Sequence, residues 1–148
     1  MCQAILLIYF QAVEWIDVFP WNDIRHGNGQ VGLDIAIGMV MSGAIFSTFR
    51  RFRVAMSVAS VLYAVWLWLQ IDTWWLAYVR GASPAWQRTY FGFFSQTIQV
   101  LPRTGNHLPP DACYLVLQLL VLVTLATTVY SCSLLWRTRR PAMRSALS

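Results

Sequence analysis

The sequence contains no lysine, six acidic residues and two histidines. A soluble domain has about a quarter of its residues charged. Here the share is 11%, against 57% hydrophobic, so the chain lacks the polar surface that a water-soluble fold of 148 residues requires. Cysteine is sparse too. Cys2, Cys113 and Cys132 show neither CxxC nor metal-ligand spacing, which excludes the dithiol of quinone-linked thiol oxidases. Their odd number excludes a fully paired disulfide framework, and Cys132, inside an apolar run, reads as a small hydrophobe. Period-two alternation is missing, which argues against a membrane β-barrel. Cys2 has no apolar region before it and so is not a lipoprotein acylation site. The first apolar stretch runs into Glu14 and Asp17 rather than a small-residue cleavage site, so no cleavable signal is expected.

What is present is apolar and arranged in blocks. Spanning about 30 Å of hydrocarbon takes roughly 20 apolar residues in a helix, which satisfies its own backbone hydrogen bonds. Four blocks fit: residues 2–19, 31–49, 54–79 and 112–136. The first is the weakest, with Glu14 and Asp17 near its end, and a three-span chain with an interfacial first helix is the alternative. The expected fold is an all-α integral membrane protein. It is a single membrane domain over 1–148, a four-helix transmembrane bundle with an additional amphipathic interfacial helix between spans three and four. Ser83–Pro84 is a good helix start. From there to Leu101 one side carries Trp86, Tyr90, Phe93, Phe94 and Ile98, and Pro102 stops the helix. Whether its aromatic face lies in the acyl boundary or over the mouth of the bundle is open. Asp111 is placed to cap the last span.

All eleven basic residues are arginine, an association with GC-rich genomes and hence with a bacterial source. Arg50, Arg51 and Arg53 fill the link between spans two and three, and Arg137, Arg139, Arg140 and Arg144 form a basic tail over 137–148. Clusters beside apolar blocks are juxtamembrane anchors, not a nucleic-acid face, and no nucleic-acid partner is expected. The positive-inside rule puts them in the cytoplasm. Both ends of the chain are then cytoplasmic, in a multi-pass protein of the plasma (inner) membrane. All six acids (Glu14, Asp17, Asp23, Asp34, Asp72, Asp111) and both histidines fall on or near the outer side.

Chemistry-bearing candidates follow from that polarity. Glu14, Asp34 and Asp72 lie near the outer ends of three spans, where ionisable groups are costly and tend to be functional; the alternative is solvation at headgroup level. His26 and His107 stand in outer loops, each with a carboxylate nearby, as acid/base candidates. Their spacing matches no metal motif, so no metal site is assigned, and no motif identifies a cofactor. Asn28 belongs to a compact polar turn over 22–30 that could hold a headgroup. Trp66, Gln70 and Trp74 align at i, i+4 as a polar group flanked by rings, and with Arg88 they are the ligand-binding candidates. Trp74, Trp75, Tyr78, Trp15 and Trp21 read as an outer aromatic belt, and Trp66 and Trp68 as packing inside.

Three function classes compete. The favoured one is an accessory protein that binds a lipid, an apolar small molecule, a partner membrane protein or a second copy of itself at the outer face. The second is a small intramembrane enzyme acting on a lipid or apolar substrate with the outer carboxylates and a histidine. The third, a transporter or channel subunit, would need polar groups through the whole membrane depth. The inner halves of the spans offer few beyond Ser42, Ser57, Ser60 and scattered threonines.

Overall fold

The computed structural model describes residues 1–22 and 31–137. Among them every regular element is a helix, with three isolated β-bridges in the loops. We number the helices α1 (Cys2–Trp15), α2 (Val31–Phe49), α3 (Arg53–Arg80), α4 (Pro84–Phe93) and α5 (Ala112–Arg137). Three of them, α2, α3 and α5, are long and apolar enough to cross a membrane. α1 is shorter, and its 14 residues make about 21 Å at 1.5 Å per residue.

α1 ends four residues before the apolar block does. Ile16 turns to extended backbone. The Asn22 amide then donates to the carbonyls of Val13 (2.5 Å) and Ile16 (3.0 Å), satisfying acceptors that a helix end leaves open. The apolar residues Ile16, Val18 and Phe19 therefore lie outside the helix and, like Trp15 at its end, are exposed.

Each long helix buries one stripe. Leu6 and Phe10 of α1, Met41 and Ala44 of α2, Ala59 and Tyr63 of α3, and Leu117 and Val121 of α5 form one core cluster. α5 is the hub, packed along α3 and against α1, while α2 touches only α1 and α3 among the stronger helix pairings. The opposite faces, with Met39, Phe46, Val61, Trp68 and Val129, are apolar and exposed. They are fit for lipid, where an outward apolar face costs nothing. Trp68 thus points away from the core, contrary to the expectation that it packs inside. At the link between α2 and α3, Arg51 takes a positive φ of 55° and the Phe52 amide donates to Ser47, closing α2 by a left-handed cap. Arg53 stacks its guanidinium 5.6 Å from the Trp136 ring centre, joining the arginine ends of α3 and α5.

α3 changes winding over Ile71–Leu76, which forms a π turn. Such a turn inserts an extra residue and shifts the side chains beyond it around the helix. Trp74 goes to α4, and the Trp75 indole donates to Gln118 Oε1 of α5 at 2.8 Å. Gly81, at φ 90°, then reverses the chain, a conformation open to glycine at little cost.

α4 begins as its sequence implies, with Ser83 Oγ accepting from the Trp86 amide at 3.2 Å and Pro84 in the first turn. It stops at Phe93, not at residue 101. The Thr97 hydroxyl is committed to Asp111. Ile98 donates to Pro20, and Val100 donates to Pro110. Residues 97–100 therefore run beside the start of α5, bridged at Gln99 and Asp111. The aromatic face of α4 turns onto the other helices. Trp86, Tyr90 and Phe94 surround Trp74, with ring centres 5.1 to 6.4 Å away, and Tyr114 completes the set at 5.3 Å. Trp74, expected in an outer belt, is the buried centre of this cap, at 3% exposure.

Candidate functional site at the acidic end

The ends of α1, α2 and α5 that carry Glu14, Asp34 and Asp111 form one neighbourhood. Glu14, in the last turn of α1, is half-buried. Asp34 stands close enough in the first turn of α2 for the two carboxylates to repel, and Tyr114 of α5 lies near Glu14. Tyr114 senses the charges of Glu14, Asp34 and Asp111 together. One turn below, the Tyr9 hydroxyl donates to the Cys113 carbonyl at 2.9 Å and touches its sulfur at 3.4 Å, and the Trp21 indole is directed at the same hydroxyl.

Asp111 is the closing piece. At 1% exposure, its Oδ1 accepts from the amides of Cys113 (2.8 Å) and Tyr114 (3.2 Å), and its Oδ2 accepts from Thr97 Oγ1. This is the expected cap, with a loop hydroxyl added. Burial pushes the Asp111 carboxyl above the usual carboxylate range, while Thr97 and the two amides pull it back. Burial and the Asp111 charge push the nearby Tyr90 hydroxyl up to about 12, with Arg103 pulling the other way.

The remaining sequence candidates are dispersed. Asp72 is exposed in the π turn and lines a shallow groove with Arg80 and Trp86. His107 donates its Nδ1 proton to the Tyr78 carbonyl at 2.7 Å, pinning the loop to the end of α3 rather than facing a carboxylate. Its suggested neighbour Asp111 is occupied by Thr97 and the α5 amides. His26 and Asn28 lie outside the described residues, as do Asp23, Arg25, Arg139, Arg140 and Arg144. Among the described residues no three of His, Cys, Asp and Glu come together in a way that could hold a metal ion. Trp66 packs edge-on to Phe10, with ring centres 5.5 Å apart. Gln70 is buried one turn from Trp74, and Arg88 is exposed on the outer side of α4.

Sequence reasoning missed Tyr9 and Tyr114, which no local pattern links to Glu14. It also missed the polar interior. Gln3, Tyr63, Gln70, Gln118, Thr124 and Thr128 are all buried, so the inside of the helix array is more polar than the hydropathy of its helices implies. Comparison with family models, with characterised proteins and with solved structures finds no match to the chain.

Proposed function

We propose that this membrane protein crosses the bilayer four times, with its arginine end in the cytoplasm and residues 1 and 148 on that side, and that it binds anionic lipid at the acidic, outer end. The crossing of α1 is supported by its burial against α5 and by Ile16, Val18 and Phe19 beyond its end, which extend its reach toward the roughly 30 Å of hydrocarbon. The orientation rests on the positive-inside rule applied to Arg50, Arg51, Arg53 and Arg137. In a Cys2→Ser background, Thr104→Cys should react with a membrane-impermeant maleimide added to intact cells, and Arg50→Cys only after lysis. The reverse pattern would remove the orientation and the function built on it.

The observation that carries lipid binding is the rim around the aromatic cap. Trp15, Ile16, Val18 and Phe19 on one strap, and Phe91, Ile98 and Val100 on the other, are exposed. The straps are joined by the Ile98–Pro20 hydrogen bond of 3.1 Å. Arg103 stacks 5.2 Å from the Phe91 ring centre, and Arg88 is exposed nearby on α4. Apolar side chains for the acyl boundary, with guanidinium groups at headgroup height, suit an anionic lipid. Native mass spectrometry after exchange into phosphatidylglycerol or phosphatidylcholine tests this. Wild type should retain the anionic lipid preferentially, and each of Arg88→Gln and Arg103→Gln should weaken retention about fivefold, as about 1 kcal/mol per arginine implies. Equal retention of the two lipids, or indifference to both variants, would refute the reading.

A second reading has one observation in its favour, the proximity of Tyr114 to Glu14 and Asp34. A carboxylate and a phenol in a half-buried setting can exchange a proton with a bound lipid. It separates from the first because Glu14→Gln would abolish turnover and leave lipid retention intact.

A further inference from the structure

Four buried polar atoms along the α3–α5 interface have no hydrogen-bond partner: Tyr63 Oη, Gln70 Oε1, Gln118 Nε2 and Thr124 Oγ1. Their residues are at most 7% exposed. An unpaired buried polar group costs about 1–3 kcal/mol, so four in one seam require an explanation. Thr124 is the most telling. The hydroxyls of Ser57, Ser60, Thr127, Thr128 and Ser131 fold back onto carbonyls of their own helices. That of Thr124, with no exposure, does not.

Two contacts set the register of these antiparallel helices. Ser57 Oγ meets Cys132 Sγ at 3.3 Å, and Trp75 Nε1 meets Gln118 Oε1 at 2.8 Å. Interpolating between them places Tyr63 between Thr128 and Thr124, and Gln70 between Thr124 and Gln118. The order along the axis is then Thr128, Tyr63, Thr124, Gln70, Gln118, Tyr114. These polar groups cover about 21 Å of helix axis at 1.5 Å per residue, with interpolated gaps of about 1 to 6 Å and a mean near 4 Å. That gap suits one bridging water between successive groups, since two hydrogen bonds of about 2.8 Å meeting at an angle span it. Both ends of the ladder are anchored. Tyr114 lies near Glu14 and Asp34. At the other end, Gln3 Nε2 donates to Thr128 Oγ1 at 2.9 Å, and Gln3 Oε1 accepts from Thr48 at 3.1 Å.

We propose that this seam holds a file of water molecules and relays protons between the Glu14–Asp34 pair and the Gln3–Thr48–Thr128 end. A proton taken up by a carboxylate at one end passes from water to water and is released to water at the other. No covalent bond to carbon changes, and each proton carries one net charge down its gradient. The amides and hydroxyls hold the file in place, each able to donate or accept. This activity is separate from lipid retention and does not depend on it.

The test is proton flux into proteoliposomes of the purified full chain. A potassium gradient with valinomycin supplies the balancing charge, and an entrapped pH dye reports the flux. Wild type should conduct well above protein-free vesicles. Thr124→Val and Gln118→Leu should each lower the flux at least tenfold, and Thr124→Ser should restore it. Thermal stability separates relay from scaffold, because the Thr124 hydroxyl bonds no other protein group, and a valine of the same shape leaves no protein donor or acceptor newly unpaired. Thr124→Val should therefore match or exceed the wild-type melting temperature while losing flux. Wild-type flux no higher than that of empty vesicles, or full flux through both Thr124→Val and Gln118→Leu, would overturn the proposal. So would a fall in flux that follows a fall in melting temperature and is not rescued by Thr124→Ser.

Discussion

Trp74→Ala is expected to cost about 3–5 kcal/mol, the range for truncating a buried large aromatic, and to lower the melting temperature in detergent by about 10 °C or more. Trp74 is 3% exposed and touches Trp86, Tyr90, Phe94 and Tyr114. Several of these pairs are edge-to-face, an arrangement worth about 0.5–1.5 kcal/mol beyond area burial. The loss falls on the cap. The core of Leu6, Phe10, Met41, Ala59 and Val121 makes no use of this ring, so far-UV helicity should hold while residues 84–110 become the first site of limited proteolysis. Trp74→Phe should recover part of the loss. A melting temperature within two degrees of wild type for Trp74→Ala would contradict this packing.

Asp111 should divide its substitutions sharply. Asp111→Ala removes the cap of α5, worth about 0.5–2 kcal/mol. It also removes the bond from the Thr97 hydroxyl to a charged acceptor, leaving that proton to the Phe94 carbonyl, for a total near 2–4 kcal/mol. Asp111→Asn keeps an oxygen for the Cys113 and Tyr114 amides and offers Thr97 a donor instead, so it should stay within about 1 kcal/mol of wild type. The pair also yields a pH test. The Asp111 carboxyl is raised in the folded state, so the unfolded chain ionises first as pH climbs. Folding stability then falls from the ordinary carboxylate range upward, through the raised value. Other carboxylates titrate in both proteins, so the quantity to follow is the difference between wild type and Asp111→Asn. Wild type should lose ground to the variant as pH rises from about 4 to 7. Movement in the opposite direction would mean that the hydrogen bonds, not burial, govern this carboxyl.

Much of the helix plan could be read from the chain, for identifiable reasons. α2 coincides with the expected 31–49 because Arg50 and Arg51 end its apolar run abruptly, and Ser83–Pro84 and Asp111 start helices by local hydrogen bonding. The failures share another cause: they depend on partners distant in sequence. The stretch 16–19, apolar but for Asp17, leaves the helix because Asn22 caps α1 early. The aromatic spacing of α4 continues to Ile98 and Leu101, but Thr97 and Ile98 are taken by Asp111 and Pro20. The polar ladder escaped notice because single Gln, Thr and Tyr residues vanish into the mean hydropathy of a long run. Their helical phase was available in the sequence: Gln118, Val121, Thr124 and Thr128 share a stripe, as do Tyr63 and Gln70. Of the candidate site, only the grouping of acids at one end was legible. The meeting of Glu14 with Asp34 and Tyr114, and the diversion of His107 to Tyr78, needed the tertiary arrangement.

The π turn at Ile71–Leu76 has a consequence for how this chain tolerates change in length. Everything from Trp74 and Trp75, inside the turn, to the reversal at Gly81 is positioned by one extra residue's worth of rotation, about 100° in a regular helix. Deleting a single residue there would remove that extra residue and let α3 close as a regular helix with the residues beyond it still in phase. Deleting one from the regular part of α3 before the turn would instead swing the whole cap out of phase with the helices beneath. A homologue with a one-residue gap inside the turn would be expected to keep the cap, and one with a gap ahead of it to carry a compensating insertion before Pro84.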